Sequence, residues 1–227
     1  MQRWGIQVDG QTAVPSKLPY PDKRRNEETK VILVDSQIAR KIGYMFDISK
    51  SDGVTAENLL AQINPNSIDL TIAKEYKRPN AINNPVMYGF SSQTEQKLYD
   101  LSYWKDVQAD DGYIVMKPGD TILGVTREFV TMPNDVCGQL FAKSTLGRMF
   151  INHMMAGVVD AGFCGKLTLE LHNPGVHTVR IPVGARVVQM ICYGLQTTPD
   201  RPYGTASRKS RYMDAKTVEC AKWSENR

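Results

Sequence analysis

No stretch of this 227-residue sequence approaches the roughly 20 consecutive apolar residues that a membrane-spanning helix needs, so no such helix is expected. The opening MQRWGIQVDGQ lacks the apolar centre of a secretory signal, and the chain reads as cytoplasmic, without a membrane partner. Cysteine and histidine are scarce. Cys137, Cys164, Cys192 and Cys220 never form a C-x-x-C pair, and none of His153, His172 and His177 begins an H-x-E. The common zinc-ligand spacings are therefore missing, and no metal ligands are assigned. All seven residues read as structural, the cysteines as free thiols in a reducing compartment. Massed charge of one sign is also lacking: 28 Lys and Arg are interleaved with 24 Asp and Glu, for a net +4. That pattern disfavours a nucleic-acid polymer and suits a small anionic ligand.

What is present is enough for one domain with a buried core, since 41% of residues are hydrophobic and 23% charged. Residues 1–29 carry Pro15, Pro19, Pro21 and the run DKRRNEETK without apolar periodicity, which predicts an extended arm. VILVDSQIARKIGYMF then places Ile38, Ile42 and Met45 at helical spacing, predicting one helix capped at Asp35 or Ser36. From Ile63 onward, short apolar runs broken by Asn, Pro and Gly predict strands. The polar stretch 77–112 reads as a long insertion loop with room for one strand. MKPGDTILGVTREFVTMP (116–133) and RIPVGARVVQMICYG (180–194) echo each other and predict two similar hairpins. Between them LTLEL alternates, with Leu167, Leu169 and Leu171 on one face and Thr168, Glu170 and His172 on the other. The tail 201–227, rich in Arg, Lys, Ser and Gly, reads as flexible, ordered at most by a ligand.

Four segments could carry chemistry. AKSTLGR (142–148) sets Lys143, Ser144, Thr145 and Arg148 around a turn, where hydroxyls and a guanidinium can bond phosphate oxygens; it reads equally as a polar loop bonding its own backbone. AGVVDAGFCGKLTLEL (156–171) leads from Ala156 through Val159 and Asp160 to Phe163 and Glu170. Asp160 at a strand end can accept from a sugar hydroxyl, and Phe163 either lies against a deoxyribose or plugs the core. Glu170 is either a proton carrier or a solvated strand residue. Asp69 in INPNSIDLTIA reads as a buried structural carboxylate capping backbone amides. Tyr203, Arg208, Lys209 and Arg211 could close over a triphosphate or form a solvated basic tail.

Taken in order, INPNSIDLTI, AKSTLGR, AGVVDAGFCGKLTLEL and RPYGTASRKSRY resemble the dCTP deaminase family, a branch of the trimeric dUTPase-like fold, over roughly residues 31–213. The resemblance implies a mainly β, distorted jelly-roll or β-clip fold with an N-terminal helix. The nucleotide deaminase domain would span 30–200, and the tail would close over the site. It also implies a homotrimer with sites shared between neighbouring chains. The activity implied is hydrolysis of dCTP to dUTP and ammonia, with Mg2+ carried on the triphosphate and no zinc, the ligand motifs of zinc deaminases being absent. Glu170 resembles the family's proton-carrying glutamate. Ser144 and the Ala156 carbonyl resemble the groups that hold the attacking water. Substrate would be bound by Lys143, Ser144, Thr145, Arg148, Val159, Asp160, Phe163, Tyr203 and Arg211. Lys143 stands where the family usually has Arg, supplying charge without a planar fork, and Ala215 stands where Gln is common. The alternatives are a bifunctional enzyme releasing dUMP and pyrophosphate, a plain dUTPase, and a non-catalytic nucleotide-sensing or interaction module.

Overall fold

The computed structural model describes residues 31–80, 103–153 and 156–222; the arm 1–29 and residues 81–102 of the insertion loop lie outside the described residues. Helix α1 (Asp35–Met45) buries Ile38, Ala39, Ile42 and Met45, the spacing that turns one helical face to a core. Its cap differs from the expectation. Val34, not Asp35 or Ser36, precedes the first turn, and Gln37 Oε1 reaches back to accept from the Val34 amide at 3.1 Å. Asp35 falls inside that turn, where a carboxylate suits the positive end of the helix. A second helix, α2 (Ala56–Ala61), is capped reciprocally by Thr55 and Asn58.

The strands that follow are β1 (Ile63–Asn64), β2 (Ser67–Thr71), β3 (Glu75–Pro79), β4 (Trp104–Gln108), β5 (Tyr113–Met116), β6 (Thr121–Thr131) and β7 (Val136–Ala142). After helix α3 (Ser144–Arg148) come β8 (Asn152–His153), β9 (Val158–Val159), β10 (Cys164–His172), β11 (Val179–Pro182) and β12 (Arg186–Gly194). One five-stranded sheet runs β1-β2-β12-β7-β9 and another β4-β3-β6-β10-β8, while β5 and β11 form a two-stranded ribbon. Ile68, Leu70, Val188 and Met190 of the first sheet share one core with Ile122, Val130, Leu169 and Leu171 of the second.

Two expectations change here. The echoing segments are not hairpins: β5 pairs with β11, while β6 pairs with β10 and β3, and β12 with β2 and β7. Each Pro and Gly turn is thus a corner that passes the chain from the ribbon to a different five-stranded sheet. The insertion is framed by structure at both ends, because Glu75–Pro79 and Trp104–Gln108 pair along their whole length. Polar strand residues concealed this pairing: β4 is the edge strand of its sheet, and β3 lies between it and β6.

The core contains one carboxylate that no sequence pattern announced. Glu128 on β6 is fully buried and accepts from Gln62 Nε2, the Thr71 amide and Thr71 Oγ1 at 3.0, 2.9 and 2.7 Å. Burial pushes its pKa up, and these bonds pull it back.

The outer face of the second sheet positions the site. On β10, Leu167, Leu169 and Leu171 face the core while Thr168 and Glu170 face outward. Leu123 lies opposite Glu170, and Val125 opposite Thr168. Yet β6 is buried on both faces, because the C-terminal segment crosses the outer one. The Asp214 amide donates to the Cys164 carbonyl and the Lys166 amide to the Ala215 carbonyl. The Glu219 amide donates to Thr168 Oγ1 at 3.1 Å, and Val218 packs with Leu123, Val125 and Ala73. The expectation that this tail is ordered only by a ligand is therefore corrected for residues 201–222: Tyr203, Tyr212, Ala215 and Val218 give it apolar anchors of its own.

Candidate active site

Between β10, the 156–160 segment and the C-terminal strap lies a cavity of about 740 Å3. Ala156, Asp160, Phe163, Glu170, Tyr203 and Arg211 all line it, so six of the sequence-predicted site residues meet in one place. Phe163 is 8% exposed and belongs to the core, as its plug reading expected, and it also lines the cavity. Its ring meets Tyr203 at 5.8 Å between centroids. The turn that presents it needs glycine: Gly162 has φ +86°, and a Cβ there would fall 2.6 Å from the Tyr203 carbonyl oxygen. The Tyr203 amide bonds the Ala161 carbonyl at 2.8 Å, and its hydroxyl accepts from the Tyr212 amide at 3.0 Å. Arg208, Lys209 and Arg211 add a cationic wall.

Glu170 is the chemically unusual group. Its side chain is 29% exposed, yet its Oε2 is buried without a hydrogen-bond partner among the described residues. Burial pushes its pKa above the usual carboxylate range, opposed by the backbone amides of Glu170 and Ala156. A carboxyl raised in this direction is better suited than a solvated one both to take and to return a proton.

The remaining predicted residues are placed elsewhere. Val159 is buried and pairs with Gly138 on β7. Lys143, Ser144, Thr145 and Arg148 do not line the cavity. Ser144, Thr145 and Arg148 are exposed on α3, whereas the Lys143 ammonium sits 2.8 and 2.9 Å from the two oxygens of Asp69. Asp69 is structural as expected, but its partners correct the expected backbone amides: besides Lys143 it accepts from Asn64 Nδ2 at 2.8 Å and faces Arg186 at 3.6 Å.

Sequence reasoning missed several wall residues. Lys166 is 7% exposed and paired with Asp52 at 2.6 Å, and Trp104, Leu123, Glu219 and Cys220 close the far end. His153, read as merely structural, brings Nε2 within 4.0 Å of Glu170 Oε2. Only the β8 to β10 pairing makes that contact, so spacing in the chain carried no signal for it. No disulfide joins any of the four cysteines. Among the described residues, no three His, Cys, Asp or Glu side chains are grouped to hold a metal ion, and no helix is long and apolar enough to cross a membrane.

Residues 32–195 match the family model described as dCTP deaminase-like. A Methanothermobacter thermautotrophicus protein named "dCTP deaminase, dUMP-forming" is 33% identical over 154 residues, covering 67% of this chain and 75% of its own. A Haloarcula marismortui protein named "dCTP deaminase" is 34% identical over 162 residues, covering 71% and 80%. The crystal structure of 2′-deoxycytidine 5′-triphosphate deaminase from Agrobacterium tumefaciens superposes with a TM-score of 0.55 at 23% identity. The match covers 74% of this chain and 49% of that one, so the chain spans about half that protein's length. The likeness is one of fold, and the mainly β architecture with an N-terminal helix is the class that the resemblance implied.

Proposed function

This chain belongs to the dCTP deaminase-like family, and we propose that it hydrolyses dCTP to dUTP and ammonia with Glu170 as its proton carrier. The observation that carries this reading is the half-buried Glu170 carboxyl, raised in pKa and facing a cavity walled by Ala156, Asp160, Phe163 and Tyr203. Glu170 takes a proton from water as it attacks C4 of cytosine and passes it to N3, then takes the proton of the new C4 hydroxyl and gives it to the leaving amine as the C4–N bond breaks and the C4 carbonyl forms. The Ala156 carbonyl and Ser144 hold the water, and Asp160 accepts from the 3′-hydroxyl. The cationic wall meets the triphosphate, which enters as its magnesium complex and needs few protein ligands for the ion. Protonation by a carboxyl does without metal-bound hydroxide, in keeping with the missing zinc-ligand motifs.

Ser144, Thr145 and Arg148 join this scheme through a homotrimer, each chain supplying them to a neighbour's cavity. Support comes from the surface around α3, where Phe141, Met149, Phe150 and Val158 are 39%, 43%, 65% and 74% exposed. An apolar group of this kind marks an interface. Val158 also borders the cavity, so that surface reaches the site's rim.

The test is product analysis. With magnesium, dCTP should give a uracil nucleotide and ammonia, and CTP should be a poor substrate because Phe163 leaves no room for a 2′-hydroxyl. Comparable kcat/KM for the two would refute the assignment of Phe163. A second reading, release of dUMP and pyrophosphate, is favoured by the relatives named dUMP-forming. Pyrophosphate appearing in step with ammonia would establish it; ammonia with intact dUTP would exclude it.

Arg211→Ala tests the cationic wall. Loss of one charge-assisted bond, about 1.5–3 kcal/mol, should lower kcat/KM by roughly tenfold or more, chiefly through KM because the phosphates are held in ground and transition state alike. An unchanged KM would show that Arg211 faces solvent during turnover.

A further inference from the structure

His153 and Glu170 present an unresolved pair of polar atoms. Nε2 and Oε2 are each buried, each lacks a hydrogen-bond partner among the described residues, and they stand 4.0 Å apart. The His153 side chain is only 4% exposed. An unpaired buried donor or acceptor is costly, and buried polar atoms in folded proteins are nearly always paired. Two such atoms facing each other, one on an imidazole and one on a carboxyl, are complementary. The gap exceeds a hydrogen bond by about 1 Å, and hydrogen bonds in empty active sites are often long until substrate tightens them.

We propose that His153 is a positioning residue: its Nε2–H closes onto Oε2 of Glu170 when substrate fills the cavity, fixing the carboxylate so that its other oxygen meets the attacking water. The inference rests on Glu170 being the proton carrier. Burial lowers the pKa of His153, which keeps the imidazole neutral, and a neutral ring in the Nε2–H form donates to Oε2 without a charge of its own. The bond favours the ionised carboxylate, so it opposes the upward push that burial exerts on Glu170. Other charged groups look into the cavity: Asp160 after β9, Lys166 on β10, and Arg208, Lys209, Arg211 and Glu219 on the C-terminal strap. None of them is among the causes of the Glu170 shift, which are burial and two backbone amides.

The sign follows directly. Glu170 must be ionised to accept a proton from water, so kcat falls on the acid side as Glu170 protonates in the substrate complex. His153→Phe keeps the ring's bulk and removes the donor. Burial is then opposed only by the two backbone amides, and the acid limb of the kcat profile for dCTP, which reports the substrate complex, should move up by about one pH unit or more, with KM little changed. His153→Gln, which restores an N–H at similar reach, should bring the limb back toward the parent position. The position of the limb does not depend on the fraction of enzyme folded, so reduced yield leaves the test intact. A Phe variant too slow to assay is read instead by 13C-glutamate NMR, as the same upward move in the Glu170 carboxyl titration of the dCTP-bound protein. An acid limb at the parent position in His153→Phe, or a Gln variant no closer to the parent than Phe, overturns the role of His153. Glu170→Gln run alongside separates the two assignments. Near-parental turnover in that variant removes Glu170 as carrier, whereas its inactivity with an unmoved His153→Phe limb removes His153 alone.

Discussion

Glu170→Gln should lose turnover by at least ~10²–10⁴-fold, the range typical of removing a general acid–base group, while dCTP binding survives. Gln preserves the side chain's size and one acceptor oxygen. It cannot accept the proton of water or return one to N3. Its amide also removes the need to bury an acid, which costs this site part of its solvation, so the fold should be no less stable. On the proposed reading the phosphates and sugar still meet Arg211, Asp160 and Phe163, which line the same cavity. Affinity measured by calorimetry should therefore change far less than kcat, as expected of an interaction used in the transition state. A variant that releases ammonia from dCTP at near the parental rate would reduce Glu170 to a structural strand residue.

Asp69→Ala should be the most damaging single change to stability away from the cavity. Asp69 is 1% exposed and holds the Lys143 ammonium between its two oxygens. Its removal leaves a cation that is only 23% exposed, together with Arg186 at 45%, facing a void. Breaking a buried pair from one side costs about 3–5 kcal/mol; because Lys143 can partly reach water, the lower end applies. For a chain of this size that corresponds to a fall in Tm of roughly 6–12 °C, read by thermal denaturation at a single protein concentration. The double variant Asp69→Ala with Lys143→Met should recover part of the loss, since the more buried of the two cations is gone and only the half-exposed Arg186 is left without Asp69. A single variant melting within about 2 °C of the parent would show that Lys143 is already solvated. The prediction also bears on phosphate binding. With its ammonium committed to Asp69, Lys143 is engaged at the start of α3, and on the proposed reading phosphate contacts fall to Ser144 and Arg148.

The alternation of LTLEL was enough to separate core leucines from Glu170, because a strand turns successive side chains to opposite faces whatever surrounds it. In the same way, Ile38, Ile42 and Met45 declared α1 through the helical repeat, and the Gly162 to Phe163 turn was visible because few residues other than glycine adopt its φ. Local rules reached those elements since each depends on a few neighbouring residues. They did not reach what depends on strands far apart in the chain. Whether the turns at Gly119 and Gly184 close hairpins or turn corners is decided by the pairing of β5 with β11, more than sixty residues away. The tail looked solvated by composition, yet Tyr203, Tyr212 and Val218 find apolar partners only once β6 and β10 are side by side. Residues in four separated segments gave the family resemblance. That Glu170 is half-buried, that Lys143 is held by Asp69, and that His153 faces the Glu170 carboxyl at 4.0 Å follow only from packing, since burial and through-space contact are properties of the assembled sheets rather than of any one segment.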